Sequence, residues 1–577
     1  MVQILSFQKT VWRLGEKPSS SINKALAMYP KPMRSVLFHR GVVDYKSSIN
    51  FFNPTINGIH HPLLLHSMDK AVNTIIKALK NRSKICIHGD FDVDGVCGTA
   101  IILDYIKKIG GNVFYHIPHR VEEGYGISKN SLEKVIRNKT QLLITVDCGI
   151  RDIDLIDYAQ KKGLTVIVTD HHLVKKDKDG KYILPNAEAI IHPQNPNGSY
   201  PYPYLSGAGT IWKLVCALEL FFQGKPFTEV AVSYLDLVAL ATVCDIMPLT
   251  EENRVLVKLG LERVSAKERI GIKALIEQAG LASKSLNSYH LGYILGPRLN
   301  AAGRLSSADE ALELLIAGEE AMAHAIASSL NSLNKHRQKL TEIALEEAEK
   351  QLTEKYPLIF VSGRNWNEGI IGLVAGKLME KYHKPAIVVK EGEKIAKGSA
   401  RSIKHFNIVD ALHTFSEYIL QFGGHEMAAG FTTTTDRLKP LKQSLLQFSA
   451  KTISEEHLIR ELFIDDEISA NEIDFNLTTL LNRVEPTGYM NPTPLFKIGP
   501  LRVIKVYAIG QESRHIKIFL LDPSTNKTLE GVWFDPPADA FAIREGDKII
   551  IAGSIGEEEW NNHRKIQIKI KDIKIES

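Results

Sequence analysis

At 577 residues the chain is too long to close around one hydrophobic core, so three or four domains are expected. Its 44% apolar and 24% charged residues describe an ordinary globular composition, and no apolar run is long enough to cross a bilayer. A net charge of +5 and a pI near 8.6 permit a nucleic-acid partner without requiring one. The cysteines (Cys86, Cys97, Cys148, Cys216, Cys244) make no C-x-x-C pair and read as reduced thiols of a cytoplasmic protein. The stretch MVQILSFQKTVWRLG lacks the apolar core of a secretory signal.

Residues 1–64 carry scattered aromatics (Trp12, Phe38, Phe51, Phe52) and Pro/Asn turns, and read as an accessory segment without chemistry. Over 65–260 strand-like runs (84–87, 112–116, 141–146, 164–169) alternate with helical ones (96–108, 131–138, 153–162), which predicts βαβ units and a parallel sheet. Sites in such sheets form at the carboxyl ends of the strands. The chemistry gathers there. KICIHGDFDVDGVCG places His88, Asp90, Asp92 and Asp94 directly after a strand, and carboxylates at alternate positions repel one another unless a cation neutralises them. LLITV ends at Asp147, TVIVT at Asp170, His171 and His172, and LDLVALATVC at Asp245. One such carboxylate is usually a cap or an ion-pair partner; this set, with its histidines, points to a two-metal phosphoryl-transfer site.

Residues 261–354 read as a helical connector, with one apolar stripe through Ile326, Leu330, Leu333, Leu340 and Ile343. It also holds GYILGPRLNAAGR, which by itself fits a helix-packing turn as well as a ligand contact. A second, smaller α/β unit follows over 355–452, with Ser399 and Arg401 after a strand and GGHEMAAG at a glycine-rich turn. Residues 453–577 alternate apolar with polar or basic side chains in five strands, which suggests an OB-like β-barrel. In the last strand Ile566, Ile568 and Ile570 are expected inside, with Gln567, Lys569 and Lys571 in solvent.

HGDFDVDG, DCG, DHH and the later Asp245 resemble, in order and spacing, the four motifs of the DHH phosphoesterase superfamily, and the whole pattern is similar to its RecJ branch. The resemblance implies a DHH domain, a DHHA1-type substrate-binding domain and a nucleic-acid-binding barrel. It implies a 5′→3′ exonuclease that hydrolyses single-stranded DNA in repair and recombination, using two Mn²⁺ or Mg²⁺ ions. Asp147 would bridge the ions; His88 and Asp92 would hold one, and Asp94, His171 and Asp245 the other, with Asp90 and His172 close by and His172 on the scissile phosphate. Arg298, Asn300 and Arg304 would contact the DNA backbone, Gly424 and His425 the substrate phosphate, and Arg120, Ser399 and Arg401 a 5′ phosphate. The expected partner is single-stranded DNA with a 5′ end, with a helicase or single-strand-binding protein as companion to a monomer. A superfamily phosphodiesterase acting on oligoribonucleotides or cyclic dinucleotides is the alternative; it would not require PRLNAAGR or the barrel.

Overall fold

A computed structural model describes residues 6–120, 123–560 and 563–576; the first five residues of the N-terminal segment lie outside the described residues. The first α/β unit is built on five parallel strands: β1 (Ile85–His88), β2 (Val113–His116), β3 (Leu142–Val146), β4 (Thr165–Thr169) and β5 (Ala189–Ile191). Their order is β2-β1-β3-β4-β5, so the chain leaves β1 toward one edge and returns to extend the sheet on its other side. That reversal opens a crevice at the carboxyl end of β1, where ligands of open α/β sheets bind. β1, β3 and almost all of β4 are buried, which explains their unbroken apolar runs.

One face of the sheet is covered by α1 (Val93–Lys108), α2 (Gly207–Gln223) and α3 (Leu235–Cys244), whose side chains form the largest apolar core. α3 is apolar all round because other helices surround it, so a 3.6-residue period is absent from its sequence. The connector supplies α4 (Gly296–Leu305) and the long α5 (Glu320–Glu349). The buried stripe of α5 runs through Ala323, Ala327, Leu330, Asn334, Thr341, Ala344 and Ala348, and Ile343, expected inside, is exposed.

The second α/β unit has β6 (Ile359–Gly363), α6 (Ile371–Tyr382), β7 (Ala386–Glu391), β8 (Ile395–Arg401), β9 (Gln421–His425) and β10 (Ala428–Thr434), in the sheet order β9-β10-β8-β7-β6. GGHEMAAG is a tight hairpin between β9 and β10, with Gly424 at φ +146° and an added Cβ there only 2.3 Å from the Ala428 carbonyl oxygen.

The barrel comprises β11 (Phe496–Ile509), β12 (His515–Asp522), β13 (Lys527–Trp533), β14 (Lys548–Trp560) and β15 (His563–Ile575). It closes in the order β11-β12-β13-β15-β14 through a β11–β14 pair, with β13 and β15 parallel. Ile568 and Ile570 are buried and Lys569 and Lys571 exposed, as the alternation predicts, with Ile566 only partly buried. Gln567 departs from it: the side chain is buried because carboxylates of Glu530 and Glu558 accept from its amide at 2.9 and 3.0 Å. The N-terminal segment completes this domain. Its strand Thr10–Leu14 pairs parallel with Arg460–Ile464, and Met33, Val36, Leu37 and Phe52 share one core with Phe496, Ile518 and Trp533. Arg254, from the first α/β unit, pins the barrel by donating to the carbonyls of Phe51, Arg483, Val484 and Glu485.

Candidate active site

The first motif turns at the end of β1. Asp92 caps α1, its Oδ1 accepting from the Gly95 N–H at 3.0 Å, and Asp94 lies in the first helical turn. Asp94 is held from the far side by α2, whose Gly207 and Ala208 N–H groups donate to its two oxygens at 2.6 and 2.7 Å. Gly207 also lets the backbone approach the next motif, since an added Cβ would stand 2.5 Å from Asp147 Oδ1. Asp147 follows β3 at φ +63°, a left-handed conformation that aims its carboxylate into the crevice. After β4, Asp170 accepts from the His171 and His172 N–H groups (2.7 and 3.0 Å) and from His172 Nδ1 (2.8 Å). Asp170 thus fixes the His172 imidazole and anchors the backbone of both histidines. Asp245 arrives as the C-cap of α3.

Three overlapping donor groups result: Asp90, Asp92 and Asp147; Asp94, His171 and Asp245; and Asp147, His171 and His172. In each, one atom per residue lies within 4.8 Å of the others. His171 Nε2 stands 3.1 Å from Asp147 Oδ1, 3.5 Å from Asp245 Oδ2 and 3.6 Å from Asp94 Oδ2. Asp90 Oδ1, Asp147 Oδ1 and His171 Nε2 are buried, and among the described residues none makes a hydrogen bond. An unpaired buried polar atom costs about 1–3 kcal/mol, so three in one crevice call for a partner.

The electrostatics agree. Burial, then the Asp92 charge, pushes Asp94 up to about 7, and burial followed by neighbouring carboxylates raises Asp90, Asp147 and Asp245. Burial, then His172, lowers His171 to about 3, leaving a neutral imidazole with a free lone pair. Burial also disfavours the His172 cation, but its bond to Asp170 outweighs this and lifts it to about 9. The donor set of oxygens and neutral imidazole, with its charge uncompensated, fits divalent cations of the Mn²⁺ or Mg²⁺ type.

Not every expected residue joins the cluster. His88 belongs to none of the three groups, because its Nε2 lies 3.1 Å from Ser131 Oγ and its Nδ1 3.8 Å from Cys148 Sγ. Asn300 Oδ1 accepts from the Val93 N–H at 3.2 Å, tying α4 to the start of α1. Arg298 spends two donors on Asn331 and the Ile294 carbonyl. Gly207 and Tyr125 fell outside the expected site, and Asp170, noted at the end of β4, was given no role of its own. The Tyr125 hydroxyl donates to the Asp147 carbonyl at 3.2 Å and lies 3.0 Å from His172.

An arginine group faces the cluster. Arg304 donates to the Gly369 carbonyl at 3.1 Å, and burial followed by the charges of Arg120, Arg337 and Arg401 pulls its pKa down to about 9. Arg401 is lowered by burial and by Arg120, whose guanidinium lies 4.9 Å from the Phe91 ring centre. Gly372, in the first turn of α6, leaves room for Ser399 and Arg401: an added Cβ would stand 3.1 Å from Ser399 Oγ and 3.5 Å from Arg401 Nη2. On β9, partial burial and then Arg151 and His172 lower the pKa of His425, so this strand end looks toward the DHH imidazoles.

Comparison with known proteins matches the DHH family N-terminal domain to residues 84–242, the DHHA1 domain to 355–451 and the RecJ OB domain to 464–572. The chain is 34% identical to the single-stranded-DNA-specific exonuclease RecJ of Bacillus subtilis, over 94% of this chain and 67% of that one. It is 33% identical to the protein of the same name from Haemophilus influenzae, covering 90% and 92%, and 32% to that of Escherichia coli, covering 95% and 96%. Crystal structures of RecJ from Thermus thermophilus in complex with Mn²⁺ and with Mg²⁺ superpose with TM-scores of 0.82 and 0.77. They share 27% and 26% identity, across 98% of this chain and 79% and 78% of theirs. Three domains in the same order, a near-complete overlay and a divalent-cation donor set place this chain: it belongs to the RecJ family.

Proposed function

We propose that the protein is a divalent-metal-dependent exonuclease that hydrolyses phosphodiester bonds of single-stranded DNA from the 5′ end, and that it serves DNA repair and recombination. The observation that carries this reading is the set of buried, unpaired donors facing an arginine group across one crevice. Asp90, Asp92 and Asp147 would hold one ion, and Asp94, His171 and Asp245 the other, with Asp147 between them. When bound, the ions would supply Lewis acidity toward the phosphoryl oxygens and ease deprotonation of the attacking water. Asp170 keeps His172 oriented by accepting a hydrogen bond from its Nδ1, which supports a role for the ring on the scissile phosphate. Arg401, with Ser399 and Arg120, offers a guanidinium fork and a hydroxyl to a terminal 5′ phosphate. Arg298 and Arg304 serve the following backbone, and Gly424 and His425 close the cleft from the second α/β unit.

His88 and Asn300 take supporting roles in this reading: His88 backs the DCG turn through Cys148, and Asn300 fixes the start of α1. The functional units are 65–260, 355–452 and 453–577, joined by the connector 261–354, with residues 1–64 serving the barrel. The setting is cytoplasmic, beside a helicase or single-strand-binding protein. Digestion of end-labelled single-stranded, duplex and RNA substrates with Mn²⁺ or Mg²⁺ tests the reading. Release of labelled mononucleotide from the 5′ end of single-stranded DNA is expected. Cleavage confined to dinucleotides or to RNA would overturn it in favour of a small-substrate phosphodiesterase.

A further inference from the structure

Five large apolar side chains stand in solvent beside Asp245: Ile246 (70% exposed), Tyr289 (57%), Tyr293 (74%), Tyr489 (57%) and Met490 (57%). Scattered exposure of this kind needs no explanation, but these five come from three segments that converge. Ile246 follows Asp245 directly. Tyr289 and Tyr293 lie at the start and inside of a π-helical stretch, His290–Leu295, that packs on the end of α3. Cys244 Sγ donates to the Leu291 carbonyl at 3.6 Å, and a Cβ on Gly292 would stand 3.2 Å from Val243. The loop carrying Tyr489 and Met490 touches both neighbours: the Leu249 N–H donates to the Tyr489 carbonyl at 2.9 Å, and Ser288 Oγ to the Thr487 carbonyl at 2.5 Å.

Two features mark this rim as built rather than incidental. Ile246 holds φ +56°, a conformation strained for a β-branched residue, and the strain leaves its side chain in solvent, where the fold gains nothing from it. The Tyr289 and Tyr293 rings are parallel to within 20° with centroids 5.1 Å apart, so they form a short stack. Helical stretches of π type recur at functional sites, and Arg298, which donates to the carbonyl of Ile294 next to Tyr293, adds positive charge nearby. Aromatic faces interleaved with positive charge are the chemistry that holds unpaired nucleobases.

We infer that Tyr289 and Tyr293, with Ile246, Tyr489 and Met490 beside them, form a platform on which bases of the substrate strand stack as it enters the metal site. This assignment rests on the proposed action on single-stranded DNA and deepens it, because it makes the bases, and not only the phosphates, part of recognition. Stacking reads the π-face that every base has, so it adds grip without sequence preference.

The test compares a 5′-phosphorylated strand with the same strand carrying abasic residues throughout. Affinity is read by fluorescence anisotropy in EDTA, so that no cleavage intervenes. Wild type is expected to bind the normal strand about ten- to a hundred-fold more tightly than the abasic one. The double variant Y289A/Y293A is expected to lose most of that ratio, while Y289F/Y293F keeps it. Far-ultraviolet circular dichroism melts check that both fold, and the Phe pair separates ring stacking from hydroxyl bonding. Wild type that does not prefer the normal strand, or an unchanged ratio in Y289A/Y293A, would overturn the platform. Mn²⁺-dependent digestion of the normal strand is scored in parallel. Its failure in wild type overturns the functional reading, whereas digestion without base discrimination overturns the platform alone.

Discussion

Two of the strands that run into a buried aspartate put that aspartate to opposite work. β3 runs into Asp147, and the strand Arg460–Ile464 runs into Asp465. Asp465 is fully provided for: Arg40 donates to it at 2.8 Å, the Leu495 N–H at 3.0 Å, and His39 Nδ1 lies 3.3 Å away. Burial would raise its pKa, but these bonds outweigh it and hold the carboxyl below its usual range. Among the described residues no arginine or lysine pairs with Asp147 and its buried Oδ1 makes no hydrogen bond, and its pKa is raised. A buried carboxylate that is satisfied holds a fold together; one left unsatisfied among its own kind awaits a ligand.

The largest effect should come from Asp147→Asn, which keeps the shape and tolerates the left-handed backbone but removes the charge. Turnover on single-stranded DNA is expected to fall by about a thousandfold or more, with binding of the strand retained. Retention of more than roughly a tenth of wild-type turnover at saturating Mn²⁺ would contradict the assignment. Gly207→Ala asks whether the close approach to Asp147 matters. The new methyl must displace the carboxylate or α2, and a loss of about a hundredfold in kcat/KM is expected, since small misplacements are costly. Wild-type kinetics in this variant would show that the crevice accommodates a shift freely.

These contrasts also show what the sequence could and could not disclose. The parallel sheet was legible because β1, β3 and β4 are buried on both faces and therefore read as unbroken apolar runs ending in chemistry. Asp147 and Asp465 each follow a strand, and the partners that set them apart, Arg40 on one side and α2 on the other, are remote along the chain. Met33, Val36 and Leu37 mark an apolar helix face but cannot say that a barrel some 460 residues later covers it. Gly207 was missed, and the bond of Asn300 to the start of α1 was not foreseen, for the same reason: each meets a distant segment.

A smaller effect concerns the strand's end. Arg401→Ala is expected to erase the preference for a 5′-phosphorylated over a 5′-hydroxyl strand, about ten- to a hundred-fold in kcat/KM, the usual worth of a charge-assisted contact. A preference left intact would remove Arg401 from end recognition.

The two aspartate environments should also respond oppositely to pH. Asp465 has a depressed folded pKa, so its contribution is present above about pH 4 and is lost as pH falls through the folded value. Burial lowers the His39 pKa, but Asp465 and the Glu16 carbonyl raise it overall; its contribution is present below about pH 6.5 and is lost as pH rises through the folded value. In chelator the crevice carboxylates have raised pKa values, so the protonated forms favour folding, and the penalty grows as pH rises through about 7 for Asp94. Chelated Asp147→Asn should therefore lose less stability than wild type between pH 6 and pH 8, while Asp465→Asn should cost about 3 kcal/mol at neutral pH by stranding Arg40. Urea unfolding at each pH measures both, and equal pH slopes for wild type and Asp147→Asn would argue against repulsion in the crevice.

The central claim is that the unpaired donors around Asp147 are the protein's divalent-cation site. Equilibrium dialysis of Mn²⁺ against wild type and Asp147→Asn tests it without reference to any substrate. Two ions per wild-type chain, with both weakened in the variant, is the result predicted by a carboxylate shared between the sites. A wild-type chain that binds no Mn²⁺, or a variant that binds two ions as tightly as wild type, would contradict it.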